Sequence, residues 1–209
     1  MTAAVPLVIG LCGGIGSGKS AAAAAFGRRG CLVYDFDLAV RQKLEDPDVI
    51  RTLVSWWGNS ILRGDGPESG IDRAAVGRII FNDDGQRQRL EGLLHPLVWR
   101  TRAEVVDAAR RSGCWAAVFD APLLFEAGLD RECDVVVFVE APLAERVARV
   151  ATTRGWEADE LSRRESAQWS LERKRGLSTH VLSNDGDPHM LDSRVADLCV
   201  TLQQVSETR

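Results

Sequence analysis

Apolar and polar positions along the chain fall into two regimes. Short, unbroken apolar runs stand at residues 7–12 (LVIGLC), 31–34 (CLVY), 115–120 (WAAVFD) and 134–140 (DVVVFVE), with a shorter one at 181–184. Their length and lack of alternation predict strands buried on both faces of a parallel sheet. Between them the apolar residues recur at helical spacing. Residues 21–26 (AAAAAF) are a strong helix former, and a short helix is expected over 38–44. From 47 to 111 the chain reads as helical and polar, with stripes at Ile50, Leu53, Val54 and Trp57, at Val76, Ile79 and Ile80, and at Leu90, Leu93, Leu94, Leu97 and Val98. Asp72 is placed as an N-cap, whereas His95-Pro96 predicts a kink or break because proline lacks an N–H. GDGPESG at 64–70 predicts an exposed turn, and residues 190–205 a closing amphipathic helix. Strands alternating with helices in this way predict an α/β fold, a parallel sheet with helices on both faces.

The connection after the first run carries the chemistry. GGIGSGKS at 13–20 fits G-x-x-x-x-G-K-[ST], with Gly13, Gly18, Lys19 and Ser20 in the fixed places. A polyphosphate concentrates negative charge, and the backbone can wrap it only if its N–H groups point inward and no Cβ intervenes. Lys19 places a compact cation against the outer phosphates, Ser20 offers a hydroxyl to Mg²⁺, and the start of the following helix adds its positive end. Strand, glycine-rich turn and helix together predict an architecture of the P-loop NTPase type.

Carboxylates mark the ends of two further strands. Asp35 and Asp37 follow the second, at the edge where open parallel sheets gather their ligands. Asp35 is the stronger catalytic candidate, since Asp37 could equally cap the next helix. Asp120 ends the third strand in the manner of a Walker B element, whose carboxylate orders Mg²⁺. Arg146, Arg149 and Arg154 open a charged helical stretch that reads either as a solvated face or as a lid whose guanidinium groups fold onto the γ-phosphate. The expected organisation is a single domain: a core of about 1–37, 113–141 and 179–209, an inserted helical substrate lobe near 38–112, and a lid near 142–178.

Composition narrows the classes. The 209 residues carry a net charge of -4, which argues against a general nucleic-acid or membrane-surface binder. Lysine is scarce, confined to Lys19, Lys43 and Lys174. No apolar run reaches the length of a membrane span, and the first ten residues have no basic region ahead of the apolar ones, so a cytoplasmic protein is expected. Five cysteines, Cys12, Cys31, Cys114, Cys133 and Cys199, lack C-x-x-C spacing and are expected to be reduced core residues. No internal repeat is visible.

Several further markers accompany the cradle in a fixed order. They are Asp-x-Asp followed by Ala39 and Arg41 in YDFDLAVR, Trp57-Gly58, Asp72-Arg73 leading to Ile80-Phe81, LLHPLV at 93–98, APLLFEAG at 121–128, and Asn184-x-Gly186. Through these, over nearly its whole length, the chain resembles the dephospho-CoA kinase family. The resemblance implies transfer of the γ-phosphoryl of ATP to the ribose 3′-hydroxyl of dephospho-CoA, giving CoA and ADP in the last step of CoA biosynthesis, with Mg²⁺. It also implies small-molecule partners only and a monomer or small homo-oligomer. ATP would contact Gly14, Ile15, Gly16, Ser17, Gly18, Lys19, Ser20 and Ala21, with Ser20 and Asp120 toward the metal. Asp35 would accept or orient the proton of the attacking hydroxyl, and Lys19, Arg149 and Arg154 would neutralise charge in the transition state. Asp37, Arg41, His95, Pro122, Leu123 and Glu126 would shape the acceptor pocket, although His95 reads equally well as a helix cap or kink beside Pro96. Two positions depart from the family pattern: Ala21 stands where a second hydroxyl is common, and Ser178-Thr179-His180 where an Ala-Asp pair is expected. The alternatives are another small-molecule or nucleoside monophosphate kinase of the same fold, or a nucleotide-binding regulatory protein without chemistry.

Overall fold

The computed structural model describes residues 5–99 and 102–207. Residues 1–4, part of the start read as lacking a basic leader, lie outside them, as do residues 100–101 of the long helical stretch. The chain divides into two compact units, one of residues 1–35 with 100–209, the other of residues 36–99.

The larger unit is built on five parallel strands: β1 (Leu7–Gly13), β2 (Cys31–Asp35), β3 (Ala116–Asp120), β4 (Val135–Glu140) and β5 (His180–Ser183), in the order β2-β3-β1-β4-β5. Its helices are α1 (Lys19–Gly27), α6 (Arg102–Arg111), α7 (Leu143–Arg154), α8 (Ala158–Ser166), α9 (Leu171–Leu177) and α10 (Pro188–Glu207). The runs of β1, β3 and β4 are buried on both sides as their composition demands, whereas the edge strands β2 and β5 are only partly buried. Leu7, Ile9 and Leu11 turn to a core with Ala22 and Phe26 of α1, Val118, Val137, and Val195 and Leu202 of α10. Each of the valine, leucine, isoleucine and phenylalanine side chains among them contributes about 1.5–3 kcal/mol relative to exposure. On β1 the intervening positions face the other way: Cys12 meets Ser178, at the end of α9, with its Sγ 3.3 Å from Ser178 Oγ. A Cβ on Gly10 would lie 2.8 Å from both Leu124 and Cys133. The close layer there requires glycine.

The return strand forms despite the missing Ala-Asp pair. Thr179 takes over the junction, its Oγ1 accepting from Val136 N–H at 3.0 Å and its own N–H donating to Val136 O at 2.9 Å. The buried Cys12, Cys31 and Cys199 and the half-buried Cys114 and Cys133 are all free thiols. Burial pushes the Cys133 thiol up to about 12, with Asp130 and Asp134 adding to it.

The smaller unit holds α2 (Phe36–Lys43), α3 (Pro47–Trp57), α4 (Arg73–Asn82) and α5 (Asp84–Val98) around Leu44, Ile50, Leu53, Ile61, Ile71, Leu90 and Leu94. Asp46, Asp72 and Asp83 cap α3, α4 and α5 by accepting backbone N–H groups. Two expectations change here. Helix α5 does not break at His95-Pro96 but runs on to Val98, the proline forfeiting only the one ladder bond that its own N–H would have donated to Gly92 O. Trp99 N–H closes that turn onto His95 O at 2.8 Å. Helix α6 packs on β1, β2 and β3, so the inserted unit ends at Trp99 rather than near residue 112.

Candidate active site

The loop between β1 and α1 is held open from outside. Gly18 lies in the left-handed region at φ 88° and caps α1, and a Cβ there would run into the side-chain amide of Asn184. That amide donates to Ser17 O at 2.7 Å, while Asn184 N–H donates to Glu140 O at 2.7 Å. Arg149 supports the same turn, donating to Gly16 O at 3.4 Å, Ser17 O at 3.3 Å and Asn184 O at 3.1 Å. With these carbonyls engaged outward, the loop keeps N–H groups for a ligand. Ser17 Oγ is buried without a partner, a donor available to an anion held in the turn.

Three strand ends meet at this edge. In the sheet register Asp120 of β3 stands beside Leu11 of β1 on one side and Asp35 of β2 on the other. Lys19 forms an ion pair with Asp120, which is 4% exposed. The lysine thereby crosses from the start of α1 toward the carboxylate next to Asp35. A half-buried cation, two carboxylates in adjacent register and a cradle of amides can bind a polyphosphate and accept a proton within one small region.

Arg146 and Glu165 add a second ion pair against the loop, 2.5 Å between Nη1 and Oε1, and Glu165 also accepts from Ile15 N–H at 2.9 Å. Arg146 is named from the sequence only as one arginine of the charged stretch, and Glu165 not at all. Their pairing joins α7 and α8 across 19 residues, and only the charge alternation of that stretch hinted at it. Arg154, by contrast, lies at the end of α7 with its guanidinium 4.8 Å from the Trp156 ring centre, and Arg164 is 4.2 Å from the same ring.

Ser20 and Ala21 are exposed on the first turn of α1. Pro122, Leu123 and Glu126 follow β3. Glu126 turns its Oε1 to Lys174, 2.8 Å away, and to Trp169 N–H at 2.9 Å, while its Oε2 is buried without a partner. Pro122 O accepts from the same lysine at 3.3 Å. In the smaller unit Asp37 lies within the first turn of α2 rather than capping it, Arg41 is exposed near the end of that helix, and His95 is exposed in the last turn of α5.

The oxygen donors a magnesium ion could use here are the Ser20 hydroxyl and the Asp120 carboxylate, the latter already paired with Lys19. Among the described residues no group of three or more His, Cys, Asp or Glu could hold a metal. Mg²⁺ keeps waters and uses one or two carboxylates plus substrate phosphates, so these residues fit an ion that arrives with a triphosphate. Among the described residues no helix is long and apolar enough to cross a membrane.

The family model for Dephospho-CoA kinase matches residues 7–189. The chain is 35% identical over 204 residues to a dephospho-CoA kinase of Thermobifida fusca, covering 97% of this chain and 100% of that one. It is 36% identical over 211 residues to one of Chlorobaculum tepidum, covering 99% and 100%. Among solved structures, a Thermus thermophilus protein superposes with a TM-score of 0.78 at 32% identity, over 95% of this chain and 97% of that one. A dephospho-CoA kinase of Campylobacter jejuni shares the fold, with a TM-score of 0.65 at 19% identity over 96% and 98% of the two chains.

Proposed function

The chain belongs to the dephospho-CoA kinase family, and on that footing we propose that it transfers the γ-phosphoryl group of ATP to the ribose 3′-hydroxyl of dephospho-CoA, yielding CoA and ADP. It is a kinase of CoA biosynthesis. ATP lies with its phosphates along Gly14, Ile15, Gly16, Ser17, Gly18, Lys19, Ser20 and Ala21. Lys19 leaves Asp120 for the outer phosphates as they arrive. The observation that carries this reading is the edge where Lys19 pairs with Asp120 and Asp35 stands beside it in register.

Asp35 accepts the proton of the attacking hydroxyl, or orients it, while Arg149 and Arg154 neutralise charge spreading over the transferred group. Ser20 and Asp120 would hold Mg²⁺, which would supply charge neutralisation to the phosphates. Asp37, Arg41, His95, Pro122, Leu123 and Glu126 shape the acceptor site, with the helical insertion as substrate lobe and the segment from 142 to 178 as lid. The protein acts in the cytoplasm, on small molecules alone, as a monomer or small homo-oligomer. Its acidic net charge of -4 supports that choice of partners.

Release of ADP in the presence of dephospho-CoA, AMP or shikimate tests the acceptor. Dephospho-CoA should be strongly preferred, and a rate with it no higher than background refutes the reading. Asp35→Asn should lower kcat at least about a hundredfold with ATP binding nearly intact. An unchanged kcat would remove Asp35 from its role.

A further inference from the structure

One carboxylate is docked on the cradle itself. Glu165, next to last in α8, accepts at a single oxygen from Ile15 N–H at 2.9 Å and from Arg146 Nη1 at 2.5 Å. A loop amide together with a guanidinium is a donor pair suited to a phosphate oxygen. The carboxylate has room because residue 14 lacks a side chain: a Cβ there would stand 2.9 Å from both Arg146 Nη1 and Glu165 Oε1. The pair is sheltered, its side chains 7% and 19% exposed. Arg146 also reaches Ile15 O at 3.4 Å, yet its Nε is buried without a partner, as is Ser17 Oγ two residues further along the loop. Two buried donors thus stand unmatched around a turn in which a side-chain anion already occupies one amide.

We propose that Glu165 is an internal stand-in for a phosphate oxygen of ATP, held by Ile15 N–H and Arg146 before nucleotide binds and exchanged for the triphosphate when it does. The inference rests on the kinase reading and deepens it. Arg146 passes from carboxylate to phosphate and becomes a ligand of the nucleotide. A carboxylate cannot remain on those donors beside a phosphate, because like charges at hydrogen-bond range repel in a sheltered site. Glu165 therefore lowers the affinity for ATP, and its departure frees the end of α8, so arrival of nucleotide rearranges the segment that carries it. If Glu165 were instead a fixed brace of the loop, its removal would weaken binding. The two roles differ in sign.

Calorimetric titration of the whole protein with Mg·ATP and with inorganic tripolyphosphate separates them. Glu165→Gln keeps an acceptor for Ile15 N–H and removes the charge, and it should bind tripolyphosphate about tenfold more tightly than the wild type. Arg146→Gln should bind it about tenfold more weakly, and in the double variant the gain from Glu165→Gln should largely vanish, since both groups act on one spot. Unchanged or weaker binding by Glu165→Gln at an unaltered Tm overturns the proposal. Should that variant lose stability, Glu165→Asp draws the carboxylate back by one methylene, and tighter binding again supports the exchange while weaker or unchanged binding refutes it. A wild type active on dephospho-CoA whose Glu165 variants bind no more tightly sinks this inference alone. Tighter binding by those variants in a protein inactive on dephospho-CoA sinks the substrate reading and leaves the exchange standing.

Discussion

Lys174 is one of three lysines in the chain and is fully buried, an expensive place for an ammonium group. Its charge is met by Glu126 Oε1 at 2.8 Å, and its remaining donors go to Gln168 Oε1 at 3.0 Å and Pro122 O at 3.3 Å. The lysine thereby fastens α9 to the segment that follows β3. Lys174→Met should cost about 3–5 kcal/mol in urea unfolding, because it strands the Glu126 carboxylate, and adding Glu126→Leu should recover much of the loss. A double variant as unstable as the single one would show that lost packing, not the stranded charge, is responsible. The sequence placed Glu126 within PLLFE and suggested an acceptor contact. It could not show that the carboxylate turns to a lysine distant in the chain, since such pairing carries no periodicity. Lys19 and Asp35 were legible because their neighbours state their setting: an apolar run, then an abrupt charge.

Helices α1 and α10 share the core on one face of the sheet, and an ion cluster at the end of α1 ties them further. Asp192 of α10 accepts from Arg29 at 2.6 Å and from Arg28 at 2.6 Å, and Arg29 also donates to Asp192 O at 2.8 Å. Those hydrogen bonds, Arg29 first and Arg28 second, hold the Asp192 carboxyl well below the usual carboxylate range. A depressed carboxyl stabilises the folded state fully above its unfolded value, near pH 4, and loses that contribution as pH falls toward its folded value. The urea midpoint of Asp192→Asn should therefore lie modestly below that of the wild type at pH 7, and the two should converge as pH drops below about 4. A gap that stays constant on acidification would rule out the ionic origin. Strands and helices were largely readable at this scale, since burial on both faces imposes an unbroken apolar run and amphipathic packing imposes the helical stripe. Where sequence reasoning failed, local rules gave way to context: α5 runs through Pro96 because only that residue's own ladder bond is lost near the helix end, and α6 joins the sheet because Val105, Val106 and Ala109 are buried.

At the scale of the whole molecule, scarcity of lysine makes chemical labelling informative. The side chains of Lys43, Lys19 and Lys174 are 39%, 12% and 0% exposed. A lysine-selective acylating reagent, followed by peptide mass analysis, should modify Lys43 first, Lys19 more slowly and Lys174 least. Saturating ATP should protect Lys19 and leave Lys43 unchanged, and equal protection of both would contradict the cradle assignment. The strand order has a consequence for biosynthesis as well. Because β3 lies between β1 and β2, the two strands of this sheet that are translated first are not each other's neighbours. Each emerges as an apolar ribbon with unpaired edges and waits until Ala116 and the residues after it have been translated. The nascent chain is thus most prone to clumping during synthesis of the helical insertion, and a stalled or truncated product ending before residue 116 should be a ready client for holding chaperones.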